Sequence, residues 1–245
     1  MRKFGLIGEH LPHSFSGRYF AAKFEREGIA ECEYSLYELP DIEGVLPLLD
    51  PVSGLEGFNI TIPYKRDIMR YLDELSPEAA AVGAVNCVRR CGDRLVGYNT
   101  DIIGLKDSMV EFLGDARPAQ ALILGTGGAA SAVEYVLREL GVAYSVVSRR
   151  SAEGRITYAD VTAEVVAANQ LIVNATPLGT YPDVESSPDL PYSQITSDHY
   201  LFDLVYNPPL TKFLEQGQSH GASICNGEAM LVGQAEAAWR IWNSR

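Results

Sequence analysis

The chain has 245 residues, 47% hydrophobic and 21% charged, enough to bury the core of one large domain or two modest ones. A formal charge of −12 gives no electrostatic support for nucleic-acid binding, and the basic residues form no cluster with interleaved aromatics. No apolar run approaches the roughly 20 residues that span a bilayer, and Met1-Arg2-Lys3 runs into a strand-like segment without a secretory cleavage pattern, so a cytoplasmic location is expected. In chain order, Phe4–Ile7 reads as a buried strand, Arg18–Glu27 as a helix and the alternating segment Cys32–Tyr37 as a second strand. Ile42–Leu49 is expected to be a short helix. Gly57–Ile62 reads as a strand limited by Pro63, and Asp67–Leu75 as a helix with Ile68, Tyr71, Leu72 and Leu75 on one side. Asn86–Arg90 and Arg94–Tyr98 form a predicted hairpin around Cys91-Gly92-Asp93, leading to the polar loop Asn99-Thr100-Asp101.

The second half opens on a cleaner βαβ pattern: strand Ala121–Leu124, the turn Gly125-Thr126-Gly127-Gly128, helix Ala129–Leu140 and strand Tyr144–Val147. Ala129, Ala130 and Ala132 allow close approach to a sheet, while Val133, Val136, Leu137 and Leu140 supply an apolar face. Leu171–Val173 and Tyr200–Val205 are further strands of an open parallel sheet, whose ligands gather at the carboxyl ends of its strands. Ala229–Trp242 reads as a final helix that returns to the first domain, with Leu231, Ala235, Ala238 and Trp239 to pack and Gln234 and Glu236 for polar contacts.

The glycine turn presents backbone N–H groups to a diphosphate, and Gly125, Thr126, Gly127, Gly128 and Ala129 are the candidate contacts. It lacks the GK[ST] ending of a nucleoside-triphosphate loop, which favours a dinucleotide. At the next strand end Ser148-Arg149-Arg150 stands where a carboxylate would favour NAD. Guanidinium groups there can pair with a 2'-phosphate, which points to NADP. In the first half, Lys65 follows a strand exit and is the candidate proton-transfer group, with Asp101 as its complement. Taken singly, Lys65 reads more readily as a surface lysine and Asp101 as a turn-stabilising carboxylate. Ser14 and Ser16 are placed to hold a carboxylate, or to cap a loop; Asn59, Thr61, Asn86 and Gln234 can recognise hydroxyls. Cys32, Cys87, Cys91 and Cys225, and His10, His13, His199 and His220, show no metal-ligand spacing, so no metal and no disulfide is expected.

Several separated segments together resemble the shikimate dehydrogenase family over essentially the full length. They are Ser14-Phe15-Ser16, Asn59-Ile60-Thr61-Ile62-Pro63-Tyr64-Lys65, Gly83-Ala84-Val85-Asn86, Asn99-Thr100-Asp101 with Gly104, and the glycine turn. Asn174-Ala175-Thr176-Pro177, Asp203-Leu204-Val205-Tyr206-Asn207-Pro208, and Gly227 with Met230-Leu231 and Gln234 complete the series. The resemblance implies an α/β fold in which an N-terminal α/β substrate domain is joined to a Rossmann-like dinucleotide-binding domain. Expected bounds are 1–104 for the substrate-binding and catalytic domain, 105–225 for the dinucleotide domain, and 226–245 for the returning C-terminal helix. It implies reversible NADPH-linked reduction of 3-dehydroshikimate to shikimate in aromatic amino-acid biosynthesis, with Lys65 and Asp101 catalytic. Ser14, Ser16, Asn59, Thr61, Lys65, Asn86, Asp101, Tyr206 and Gln234 would bind substrate. Thr176, Leu204, Gly227 and Met230 would join the glycine turn and Ser148, Arg149 and Arg150 around NADP. Ser131, Arg150 and Glu153 depart from the family's pattern of arginine, threonine-like and basic residues, and Gly17 replaces a frequent proline. A dual quinate/shikimate enzyme using NAD or NADP is the nearest alternative, a non-catalytic metabolite sensor the alternative of another class. A monomer and a homodimer are both compatible with the pattern.

Overall fold

The computed structural model describes residues 1–11 and 14–244, so His13 lies outside the described residues. The chain divides into two compact units, one of Met1–Ile103 with Gln234 to the C-terminus, the other of Gly104–Gly233.

The first unit carries β1 (Arg2–Gly8), α1 (Phe15–Glu27), β2 (Cys32–Glu38), α2 (Leu46–Leu49), β3 (Leu55–Ile60), β4 (Glu74–Leu75), α3 (Pro77–Val82), β5 (Cys87–Cys91) and β6 (Arg94–Tyr98). Its sheet order is β2-β1-β3-β5-β6-β4. β1 runs parallel to β2 and β3, whereas β5 is antiparallel to β3 and β6. The expected helix over Asp67–Leu75 is corrected. Only Asp67–Tyr71 coils, as a 3-10 turn; Leu72 is extended, and Glu74–Leu75 pairs with Val96 and Gly97. The helical spacing of Ile68, Tyr71, Leu72 and Leu75 instead reflects burial against the core around Phe58 and Val88. Ile62, expected in a strand, is 76% exposed because β3 stops at Ile60.

The second unit begins within α4 (Thr100–Leu113), so Asn99-Thr100-Asp101 enters a helix rather than forming a loop. Asn99 Oδ1 accepts from the Ile102 amide, and Ile102, Leu105, Met109 and Leu113 are buried. There follow β7 (Gln120–Leu124), α5 (Gly128–Glu139), β8 (Ala143–Ser148), β9 (Arg155–Thr157), α6 (Ala163–Ala168), β10 (Leu171–Asn174), β11 (Tyr200–Asp203), α7 (Lys212–Ser219), β12 (Ser223–Cys225) and α8 (Glu228–Asn243). The order β12-β11-β10-β7-β8-β9 is parallel throughout. Connections from β7 and β10 diverge to opposite sides, which opens the crevice where such sheets bind dinucleotides. On α5, Ala130, Ala132, Val133, Val136 and Leu137 are buried as expected, but Ala129 is exposed.

The C-terminal return starts inside α8 at Gln234, not at residue 226. The first part of α8 belongs to the second unit, where a Cβ on Gly233 would sit 3.1 Å from Gly104 Cα. Beyond it, Trp242 stacks on Phe4 with centroids 4.8 Å apart and donates from Nε1 to the Val88 carbonyl at 3.0 Å. The buried Lys23 binds Glu236 at 2.8 Å and Glu27 at 2.9 Å, and Tyr19 donates to Glu236, tying α1 to the end of α8. Removing a buried indole typically costs about 3–5 kcal/mol, so this return is firmly seated.

Candidate active site

In the first unit, Lys65 Nζ lies 2.7 Å from Asp101 Oδ2. Lys65 is held from its backbone, whose carbonyl accepts from Val85 N at 2.8 Å. Asp101 occupies the first turn of α4, where helix amides favour a carboxylate. The side chains are 30% and 26% exposed, so the pair is open to a ligand and contributes little to stability.

A buried polar chain runs beside this pair. Tyr34 donates to Asn59 Oδ1 at 2.9 Å, and Asn59 Nδ2 donates to the Asn86 carbonyl at 3.1 Å. Asn86 Oδ1 accepts from the Thr100 amide at 2.7 Å and its hydroxyl at 3.1 Å, which anchors the residue preceding Asp101. Burial pushes the Tyr34 phenol well up, outweighing the lowering by a hydrogen bond with Ser16, so Tyr34 stays a donor. Asn59 thus holds the frame with most of its amide, while the Asn86 amide nitrogen has no partner among the described residues. Ser14 caps α1, its Oγ accepting from Gly17 N at 3.3 Å, and Ser16 lies in the first turn. The cap uses an oxygen lone pair and leaves the Ser14 O–H to donate. Thr61 is half-buried, with its amide donating to the Ile7 carbonyl at 2.9 Å; Gln234 is 7% exposed. Tyr34 escaped the sequence reading, and Asn99 and Thr100 entered it only as loop and motif residues without a role in the site. Alternation along Cys32–Tyr37 was the available signal for Tyr34, since it places that ring on the inner face.

The second unit holds two cavities of about 390 Å³ each, which share Ala175, Thr176 and Pro177. One adds Gly125, Thr126, Gly127, Ser148 and Arg149; the other adds Ala129, Leu204, Val205 and Tyr206. Gly125 has φ +113°, and a Cβ there would stand 3.0 Å from the Ala175 carbonyl oxygen, so only glycine fits. Cβ atoms on Gly127 and Gly128 would meet nothing within 4 Å. That open space lies at the N-terminus of α5 and fits a diphosphate. Arg149 and Arg150 are exposed, and Ser148 Oγ accepts from the Arg150 amide at 3.2 Å. Tyr206 is 45% exposed in this unit. Gly227 is buried and Met230 half-buried.

The shared wall is set by a network that sequence inspection did not assign. The fully buried Asp203 accepts from Thr211 Oγ1 at 2.6 Å, Asn174 Nδ2 at 2.9 Å and Val205 N at 3.0 Å. Burial pushes its carboxyl up to about 6 despite those donors. Asn174 Oδ1 in turn accepts from Thr176 N and Oγ1 at 3.1 and 2.6 Å. Both loops lining the second cavity are therefore pinned to one carboxylate.

A family model described as the shikimate dehydrogenase substrate binding domain matches residues 6–88. The shikimate dehydrogenase (NADP(+)) of Caldicellulosiruptor saccharolyticus is 36% identical, covering 99% of this chain and 92% of its own. The chain belongs to the shikimate dehydrogenase family. Among solved structures of related dehydrogenases, the Thermus thermophilus shikimate 5-dehydrogenase in complex with NADP(H) and shikimate superposes with a TM-score of 0.85 at 32% identity. It covers 99% of this chain and 94% of that one. Quinate dehydrogenase from Corynebacterium glutamicum in complex with NAD reaches a TM-score of 0.87 at 30% identity, covering 98% and 93%. The family fold is thus the N-terminal α/β domain, the Rossmann-like domain and the returning C-terminal helix described above. Among the described residues, no group of His, Cys, Asp and Glu could hold a metal, and no helix is long and apolar enough to cross a membrane.

Proposed function

We propose that the chain is an NADP(H)-dependent shikimate dehydrogenase that interconverts 3-dehydroshikimate and shikimate in aromatic amino-acid biosynthesis. The observation that carries this reading is the Lys65–Asp101 pair at 2.7 Å in a family member whose second unit retains a dinucleotide turn. NADPH, when bound, supplies the hydride that the ketone carbon accepts. Lys65 Nζ donates a proton to the carbonyl oxygen, and in the reverse direction receives it from the hydroxyl. Asp101 orients the ammonium and accepts from a substrate hydroxyl. Ser14 and Ser16 donate to the substrate carboxylate at the N-terminus of α1, where the helix dipole favours an anion. Asn86 and Gln234 offer amide groups to the ring hydroxyls, with Asn59 and Thr61 bordering them. Gly125, Thr126, Gly127, Gly128 and Ala129 hold the diphosphate. Thr176, Leu204, Gly227 and Met230 surround the nicotinamide half, and Tyr206 contributes to substrate binding. A cytoplasmic setting and a monomeric or homodimeric state complete this reading.

Side-by-side initial rates with shikimate and quinate, each with NADP and NAD, test it. Shikimate with NADP is expected to have the highest kcat/KM. Binding without hydride transfer would make the chain a sensor, and equal rates with quinate would make it a dual-specificity enzyme. The likeness to a quinate dehydrogenase gives the second outcome its interest.

Cofactor choice rests on Arg149, with Arg150 beside it and Glu153 opposing. Arg149→Ala is expected to remove a charge-assisted contact of about 1.5–3 kcal/mol, raising the KM for NADP roughly 10- to 100-fold. The KM for NAD should stay unchanged, and steady-state titration of both cofactors checks the contrast.

A further inference from the structure

Asn99 is buried and stands immediately before α4, where its Oδ1 accepts from the Ile102 amide at 3.2 Å. That bond is a helix cap, and serine, threonine or aspartate would supply it about as well. Asparagine differs in carrying an amide nitrogen beside the capping oxygen, and here Nδ2 donates to the Ala84 carbonyl at 3.0 Å. The two ends are not interchangeable, because the Ile102 N–H can meet only the oxygen. The peptide group joining Ala84 to Val85 is therefore bonded on both sides: its carbonyl accepts from Asn99, and its N–H donates to the Lys65 carbonyl at 2.8 Å. Since a peptide group is planar and rigid, these bonds fix the Lys65 backbone relative to the residue two positions before Asp101. The 2.7 Å contact of Lys65 Nζ with Asp101 Oδ2 closes the ring, and every member of it lies in the first unit.

We propose that Asn99 is a positioning residue of the dehydrogenase reaction, acting through the Ala84–Val85 peptide to hold Lys65 against Asp101. The proposal rests on the reading of Lys65 and Asp101 as the proton-transfer pair. Asn86 makes a second tie between the same turn and α4, its Oδ1 accepting from the Thr100 amide at 2.7 Å. Loss of the Asn99 tether thus loosens the pair without releasing it.

The test is kcat for shikimate oxidation with NADP, the KM for NADP and Tm in the wild type, Asn99→Ser, Lys65→Ala and the double variant. Serine keeps a capping oxygen but is too short to reach the Ala84 carbonyl. Asn99→Ser is expected to lower kcat about 10- to 100-fold, as for a reacting group misplaced by about 1 Å, and to leave the KM for NADP unchanged. Its Tm should fall by only about 2–4 °C, the effect of one lost hydrogen bond in a chain of this size. In the Lys65→Ala background the same change should lower the residual rate by about twofold at most, because no lysine remains to be placed. Wild-type kcat in Asn99→Ser would overturn the proposal, as would an equal fold-loss in both backgrounds, which marks a general structural role. Should Asn99→Ser fail to fold, Asn99→Asp keeps the size and the cap while its ionised oxygens cannot donate. A comparable loss of kcat there supports the proposal, and near-normal kcat overturns it. A wild type inactive on shikimate, or near-normal turnover in Lys65→Ala, would instead overturn the underlying reading, and this proposal with it.

Discussion

Lys65→Ala is expected to lower kcat by about 10²- to 10⁴-fold, the range that a positioned general acid or base contributes. Folding should survive, because a 2.7 Å ion pair whose partners are 30% and 26% exposed contributes at most about 1 kcal/mol. NADP affinity should also survive, since every residue assigned to the cofactor lies in the second unit. Lys65→Arg keeps the charge but should not restore oxidation of shikimate, because a guanidinium stays protonated and cannot take up the hydroxyl proton. Combining Lys65→Ala with Asp101→Asn should cost little more than either alone, as the two act as one unit. Stopped-flow and steady-state rates alongside thermal melts check all of this. Near-normal turnover in Lys65→Ala would refute the assignment.

Gly227→Ala is expected to weaken NADP binding more than tenfold and to lower Tm by about 2–10 °C, the range for overpacking a chain of this size. A Cβ at Gly227 would lie 2.8 Å from the Leu204 carbonyl carbon and closer still to its oxygen. These are backbone atoms, so no side chain can swing aside. Leu204 is itself held, its amide donating to the Asn174 carbonyl at 3.0 Å, and Gly227 N donates to the Val205 carbonyl at 3.1 Å. The methyl group must therefore displace the segment Leu204–Tyr206 that lines the second cavity. Fluorescence titration with NADPH and differential scanning calorimetry measure the two effects, and wild-type values for both would disprove the steric account.

Several parts of the site were legible from residues alone because local chemistry determines them. Gly125 reads as a turn glycine since its backbone has φ +113°, a conformation that L side chains rarely adopt. The apolar face of α5 appears in the spacing of Val133, Val136 and Leu137, each fully buried. Helical spacing misled at Asp67–Leu75, where the same residues face the core from a 3-10 turn and a short strand. The pattern records which side chains are buried, and two backbones can satisfy it. Helix α4 was overlooked because Gly104 and the polar start at Asn99 resemble a linker. The glycine is accommodated where Gly233 approaches, a contact more than a hundred positions away in the chain.

Composition, glycine placement and the order of short motifs are properties of neighbouring residues, and they suffice for the α/β class, the dinucleotide turn and the candidates Lys65 and Asp101. Lys65 and Asp101 stand 36 positions apart in the chain, and only the folded chain closes that loop to 2.7 Å. The same holds for Asp203, whose hold on Thr211, Asn174 and Val205 gathers three chain segments around one buried carboxylate. Long-range hydrogen bonds and desolvation depend on which distant segments share an interior, and that is decided by tertiary packing.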